Sequence, residues 1–170
     1  MKNELKEQER FWNETGNEFD AIYTRDKSAF ANFLDKTFRW DMYERFNFAM
    51  HQCVPAEDSS VLDVGCGTGR YLLGLGKRNM KKMVGLDVAR NMLDIAEDLC
   101  RKEGIIDRCE FHHTDLLHFQ NNELYDYSIA IGLFDYMKDP QPVLDKLNKV
   151  TKVRSIMTFP RSNTWRAPVR

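Results

Sequence analysis

Residues 61–70 read VLDVGCGTGR, an acid (Asp63) inside an apolar run that exits through Gly65, Gly67 and Gly69. Glycines at such an exit let the backbone turn tightly and let a ligand approach the main chain with no Cβ in the way. A dinucleotide pyrophosphate is one such ligand, but its fingerprint sets the third glycine five residues after the first. Position 70 is Arg70, so that pattern is broken. Asp63 also argues against it, because a carboxylate near the mouth repels a pyrophosphate and attracts a cationic or ammonium-bearing ligand. His112, His113 and His118 suggest a metal or a base. Neighbours on a strand point to opposite faces, so His112 and His113 cannot share one site. No spacing matches a metal-ligand set, and no metal is expected. Cys53, Cys66, Cys100 and Cys109 form no CxxC pair and read as reduced thiols of a cytoplasmic protein.

The elements that would position these groups fall into two parts. Residues 1–58 carry 11 of the 20 aromatic residues, and Phe30, Phe33, Leu34, Phe38, Met42, Tyr43, Phe46 and Met50 recur at helical spacing. We expect a helical layer or lid there, with Tyr23 a candidate to reach over a ligand. Residues 59–160 alternate strand-like runs (SSVLDVG, KKMVGLD, CEFHHTD, YSIAIG, VRSIMTFP) with helical stretches. In the stretch from Ala89 to Gly104, Met92, Ile95, Ala96, Leu99 and Cys100 form an apolar stripe, and Gly104 suits a helix stop. Pro142 is compatible with the first turn of a later helix. This rhythm predicts an α/β fold: a Rossmann-like, doubly wound, mostly parallel sheet of about five strands with an N-terminal helical layer. Ligands of such sheets bind beyond the C-terminal strand ends. The net charge is −1 and no run is long enough for a membrane span, which points away from nucleic acid and membrane partners. The charged N-terminus MKNELKEQER is no signal peptide.

VLDVGCGTG resembles the first motif of class I S-adenosylmethionine-dependent methyltransferases, an acid followed by GxGxG. VGLDVARNML is similar to the family's second motif, HTDLLHF to its segment after strand three, and YDYSIAIGLFDYMKD to its fourth motif. The resemblance implies S-adenosyl-L-methionine as cofactor and S-adenosyl-L-homocysteine as product. Asp63, Gly65, Cys66 and Gly67 would then lie along the methionine end. Asp87, 22 residues after Gly65, has two oxygens for the ribose hydroxyls, with a helix-capping aspartate as the alternative. Val88 adjoins it, and Met92 would pack on adenine or in the core. Asp115 would accept from the adenine amine beside the Leu116 N–H, or else serve its own loop. Gly132 would let the strand-four backbone approach the methionine portion. Arg45, on a helix 18 residues before Asp63, would meet the cofactor carboxylate.

Phe134, Asp135 and Tyr136 are the candidates for contacting the acceptor, and no residue is assigned as a catalytic base. The implied function is methyl transfer to a small molecule, since no basic stripe is present and GLFD stands where amino-group methylases carry an NPPY-type tetrapeptide. The alternative is a non-catalytic S-adenosylmethionine-binding module or partner subunit. The family's sheet has seven strands, so we expect residues 161–170 to begin a missing C-terminal part, and the chain to be truncated. An uncapped last strand would offer its edge to another chain, giving a dimer.

Overall fold

A computed structural model describes Arg10, residues 42–121 and residues 123–160. Tyr23, most of the expected N-terminal layer and residues 161–170 lie outside the described residues. The described chain opens on helix α1, residues 42–52. There follow β1 (Ser60–Val64), α2 (Arg70–Gly76), β2 (Lys82–Asp87), α3 (Arg90–Lys102), β3 (Cys109–His113), β4 (Tyr125–Ala130), α4 (Gln141–Val150) and β5 (Thr151–Met157). Short 3-10 turns cover Ile106–Arg108 and Leu133–Tyr136.

All five strands are parallel, in the order β3-β2-β1-β4-β5. The doubly wound sheet expected from the sequence is therefore present. Its order reverses at β1, which has β2 on one side and β4 on the other, so the loop after β1 opens at the switch point.

Alternation along the strands sends side chains to two apolar layers. Val61, Met83, Tyr127, Ile129 and Ile156 pack with Ala49 and Met50 of α1, Leu72 and Leu75 of α2, and Leu93 and Cys100 of α3. Leu62, Val64, Val84, Leu86 and Ala130 pack on the other face with Val143 and Leu147 of α4 and with Leu116, Phe119 and Phe134. The helices seat closely where they meet glycine. A Cβ on Gly74 of α2 would lie 2.6 Å from the Phe46 ring and 2.9 Å from Met50 Sδ, so α1 fills that space. Arg78 donates to the Met50 carbonyl at 2.8 Å and Arg154 to that of Gln52 at 3.1 Å, giving the last turn of α1 donors for its orphan carbonyls.

The buried row on α3 is Met92, Leu93, Ala96 and Cys100, while Ile95 and Leu99 are half-buried. The expected stripe is thus turned by part of a residue, because the i, i+4 row facing the sheet starts at Met92 and takes Leu93 beside it. Gly104 stops this helix as expected, at φ +69. Its N–H bonds to the Arg101 carbonyl and that of Ile105 to the Cys100 carbonyl, closing a Schellman motif. Pro142 sits in the first turn of α4. No helix among the described residues is long and apolar enough to cross a membrane.

Gly85 of β2 lies between Asp63 of β1 and Phe111 of β3. A Cβ there would meet Cys66 Sγ at 2.9 Å, Leu72 Cδ1 at 3.0 Å and Phe111 Cδ1 at 3.0 Å. Overpacking of this kind costs about 1–3 kcal/mol. Gly85→Ala is expected to lower the urea-denaturation stability by that amount, and an unchanged midpoint would show that these neighbours yield freely.

Candidate functional site

The site is assembled from four strand ends. β1 delivers Asp63 and the turn 65–69, β2 delivers Asp87 and Val88, β3 leads to Asp115, and β4 leads to Gly132. In the turn, the N–H groups of Gly65 and Cys66 both donate to the Leu86 carbonyl, at 2.8 and 3.0 Å, and the Gly69 N–H donates to Cys66. Gly67 has φ +52 and nothing within 4 Å of where a Cβ would stand. That backbone conformation disfavours a side chain and leaves open ground beside the main chain. Gly69 is glycine for a second reason, since its Cβ would approach Ala96 Cβ of α3 to 3.0 Å.

Asp87 holds this turn from the next strand. Its Oδ2 accepts from the Gly67 N–H at 2.8 Å and its Oδ1 from the Ala89 N–H at 2.9 Å. It does not cap α3 through the N-cap position, which Ala89 fills without a side-chain bond. A carboxylate has about four lone-pair sites, so each oxygen keeps acceptor capacity for a further hydroxyl. Burial raises the Asp87 pKa against the lowering effect of the backbone N–H groups.

Asp63 is in a harsher place. It is 1% exposed, and its Oδ2 has no hydrogen-bond partner among the described residues. Burial first, and the Asp87 carboxylate second, push it up to about 8. Cys66 is buried beside it, with its thiol raised by burial and then by Asp63 and Asp87, so it is no nucleophile.

The remaining candidates divide. Asp115 serves its own turn: Oδ1 accepts from the Leu117 and His118 N–H groups at 2.8 and 3.2 Å, and Oδ2 meets His118 Nδ1 at 2.5 Å. Leu116 is buried in the α4 layer and Met92 is buried on α3. Gly132 adopts φ +79, and its N–H donates to Thr158 Oγ1 at 2.9 Å, joining the exits of β4 and β5. Arg45 is half-buried on α1. Phe134 is 3% exposed and stacks on Phe159 at 4.7 Å, so it lies under the surface that Phe159 and Tyr136 present. Asp135 is half-buried. His113 Nε2 lies 2.9 Å from the Val88 carbonyl while His112 packs on Phe119, so the two histidines diverge.

Three residues here escaped the sequence reading. Arg70, directly after the turn, places its guanidinium 4.9 Å over the Phe46 ring and ties α1 to the site. Thr158 and Phe159 shape the exit beside Gly132. An arginine adjoining a glycine loop in a chain with an aromatic-rich N-terminal half was a usable signal for the first. The others sit in an ordinary TFP stretch.

A family model described as a methyltransferase domain matches residues 55–167. The chain belongs to this methyltransferase family. Methyltransferase GfsG of Streptomyces halstedii is 33% identical over 93 residues, which are 54% of this chain and 34% of that protein. The human EEF1A lysine methyltransferase 2 is 26% identical over 163 residues, 88% of this chain and 68% of its own. The chain thus spans about a third of the first relative and about two thirds of the second. Magnesium protoporphyrin IX methyltransferase from Synechocystis PCC 6803, solved with bound SAM, shares the fold. Its TM-score is 0.80 at 19% identity, over 94% of this chain and 77% of that one. The resemblance read from the motifs is therefore correct, and the protein carries a class I S-adenosylmethionine-dependent methyltransferase domain.

The buried acid of this methyltransferase domain has a consequence for stability. Asp63 keeps its proton in the folded chain up to about pH 8, whereas an unfolded aspartate gives it up near about 3.9. Its contribution is full below the unfolded value, falls as pH rises, and is lost once pH passes the folded value. Asp63→Asn is expected to flatten that fall in denaturation midpoints measured from about pH 4 to about pH 9. Parallel pH profiles for the two proteins would contradict it.

Proposed function

We propose that the chain binds S-adenosyl-L-methionine across the ends of β1 and β2 and transfers its methyl group to a small-molecule acceptor, releasing S-adenosyl-L-homocysteine. The observation that carries the reading is Asp63, a buried carboxyl group with an orphaned oxygen beside a glycine turn whose Gly67 leaves space for a ligand. Such a site fits the ammonium-bearing, sulfonium end of the cofactor and does not fit a pyrophosphate. Asp87 would take the ribose hydroxyls with its remaining lone pairs, flanked by Val88 and Met92. Asp115 and Leu116 would border the adenine, Gly65, Cys66 and Gly132 would line the methionine portion, and Arg45 would meet its carboxylate.

When bound, the cofactor supplies an electrophilic methyl group. The chain's own task is then alignment. Proximity and orientation can lower such a barrier by about 7–11 kcal/mol, and a general base is needed only for an acceptor that arrives protonated. Tyr136 and Asp135 border the acceptor side, with Phe134 supporting Phe159 beneath it.

The absence of a basic stripe in the sequence supports a small acceptor. A protein lysine acceptor is the second reading, favoured by the human relative that matches over 88% of the chain.

Calorimetric titration tests the cofactor site. S-adenosylmethionine and S-adenosylhomocysteine are expected to bind in the micromolar range, and Asp87→Asn to weaken both by about tenfold or more, as befits loss of a charged hydrogen-bond acceptor. No binding by either ligand overturns the reading. Labelled methyl transfer into a metabolite extract is expected, label in the protein fraction alone would favour the second reading, and binding without transfer would leave a non-catalytic module.

A further inference from the structure

Among the described residues, nothing hydrogen-bonds to Oδ2 of the buried Asp63. Its strand neighbours are Gly85 on β2, which has no side chain, and Ile129 on β4. Among the described residues, the titratable groups around it are the Asp87 carboxylate at the end of β2, the Cys66 thiol of the turn and the Cys53 thiol after α1. Asp87 is acidic, and both thiols are neutral, raised by burial and by Asp63 itself. Of the cations on that side, Arg78 and Arg154 act on Cys53 and bond to carbonyls at the end of α1, and Arg70 stands over the Phe46 ring. An ionised Asp87 has no proton to donate to Asp63, and its oxygens accept from the Gly67 and Ala89 N–H groups. An ionised carboxyl group, fully buried and short of a donor, is strongly disfavoured.

We propose that the ligand-free protein holds a proton on Asp63 and that the α-ammonium group of the incoming S-adenosyl ligand displaces it to solvent. The inference rests on the cofactor reading above and adds a proton to its binding equilibrium. The reaction balances simply: a neutral carboxylic acid and an ammonium ion become a carboxylate–ammonium pair and one free proton. An ammonium at contact distance favours the carboxylate by about three orders of magnitude at the effective dielectric of a protein. That moves the midpoint from about 8 to well below neutral. Because the amino-acid portion of the ligand triggers the release, the methyl on its sulfur is irrelevant to it. Asp63 is thereby kept neutral in the ligand-free protein, which removes much of the charge repulsion between Asp63 and Asp87 until the ligand's cation arrives.

The test is calorimetry of the full chain at about pH 7 in buffers of different ionisation enthalpy, with three ligands. The free α-amino group of the ligand titrates at about 7.7–8.0, so at that pH it arrives mostly as ammonium. S-adenosylhomocysteine and S-adenosylmethionine should each release nearly one proton per molecule bound. Below neutrality, their affinity should rise by close to tenfold for each unit by which the pH is raised. 5′-Methylthioadenosine, which lacks the amino-acid portion, should bind with no release. Asp63→Asn should abolish the release from S-adenosylhomocysteine and S-adenosylmethionine, and the methylthioadenosine comparison needs no variant. Binding of S-adenosylhomocysteine without proton release, equal release from 5′-methylthioadenosine, or release that persists in Asp63→Asn overturns the inference and leaves the cofactor reading standing. Failure of all three ligands to bind overturns the cofactor reading and this inference together.

Discussion

The chain places a carboxyl group at the centre of its sheet, on a strand whose other core side chains are Val61, Leu62 and Val64, all buried. Burying a polar group without a partner costs free energy, and burying an unpaired charge costs far more. The fold accommodates Asp63 by leaving it protonated and by packing around it groups that demand no charge: Gly85, Ile129 and two neutral thiols. That arrangement is poor for stability and good for a cationic ligand. The turn after β1, the clamp from Asp87 and the open ground at Gly67 all surround this one acid.

The clamp explains why two acids sit so close. Asp87 is anchored by the Gly67 and Ala89 N–H groups, which favour its ionised form, whereas Asp63 Oδ2 has no donor among the described residues. Burial raises both carboxyl groups: Asp87 against the opposing pull of its backbone N–H groups, and Asp63 with the Asp87 charge added, up to about 8. Both apolar layers contribute to holding them. α1, α2 and α3 seal the face on which Asp63 lies, and α1 is fastened by Arg70, Arg78 and Arg154. The opposite layer fixes Leu133, whose Cδ1 would stand 3.3 Å from a Cβ on Gly65.

Much of this was legible in the residues. The glycine spacing and the acids at the ends of apolar runs located the turn and the strand ends, because a close main-chain approach and an αL conformation leave few residue choices. The Gly104 stop was legible for the same reason. The start of β5 was hidden, since Thr151 ends α4 and begins the strand with no turn residue between them, bonding to both Leu147 and Ser128. β4 begins earlier than its apolar run because Asp126, paired with Ser60, interrupts the pattern. Asp115 could be read from sequence as either a ligand or a loop residue, and only coordinates show its oxygens turned to Leu117 and His118. Phe134 looked available because it follows a strand, but its partner Phe159 is 25 residues away, and no local pattern announces that stack.

The central claim is that Asp63 is neutral in the ligand-free protein. Carbon-13 NMR of its side-chain carboxyl, assigned by comparison with Asp63→Asn and followed against pH without ligand, tests this directly. A titration midpoint of about 8 is the result the account predicts. A midpoint near about 4, the value of an ordinary exposed aspartate, would contradict it.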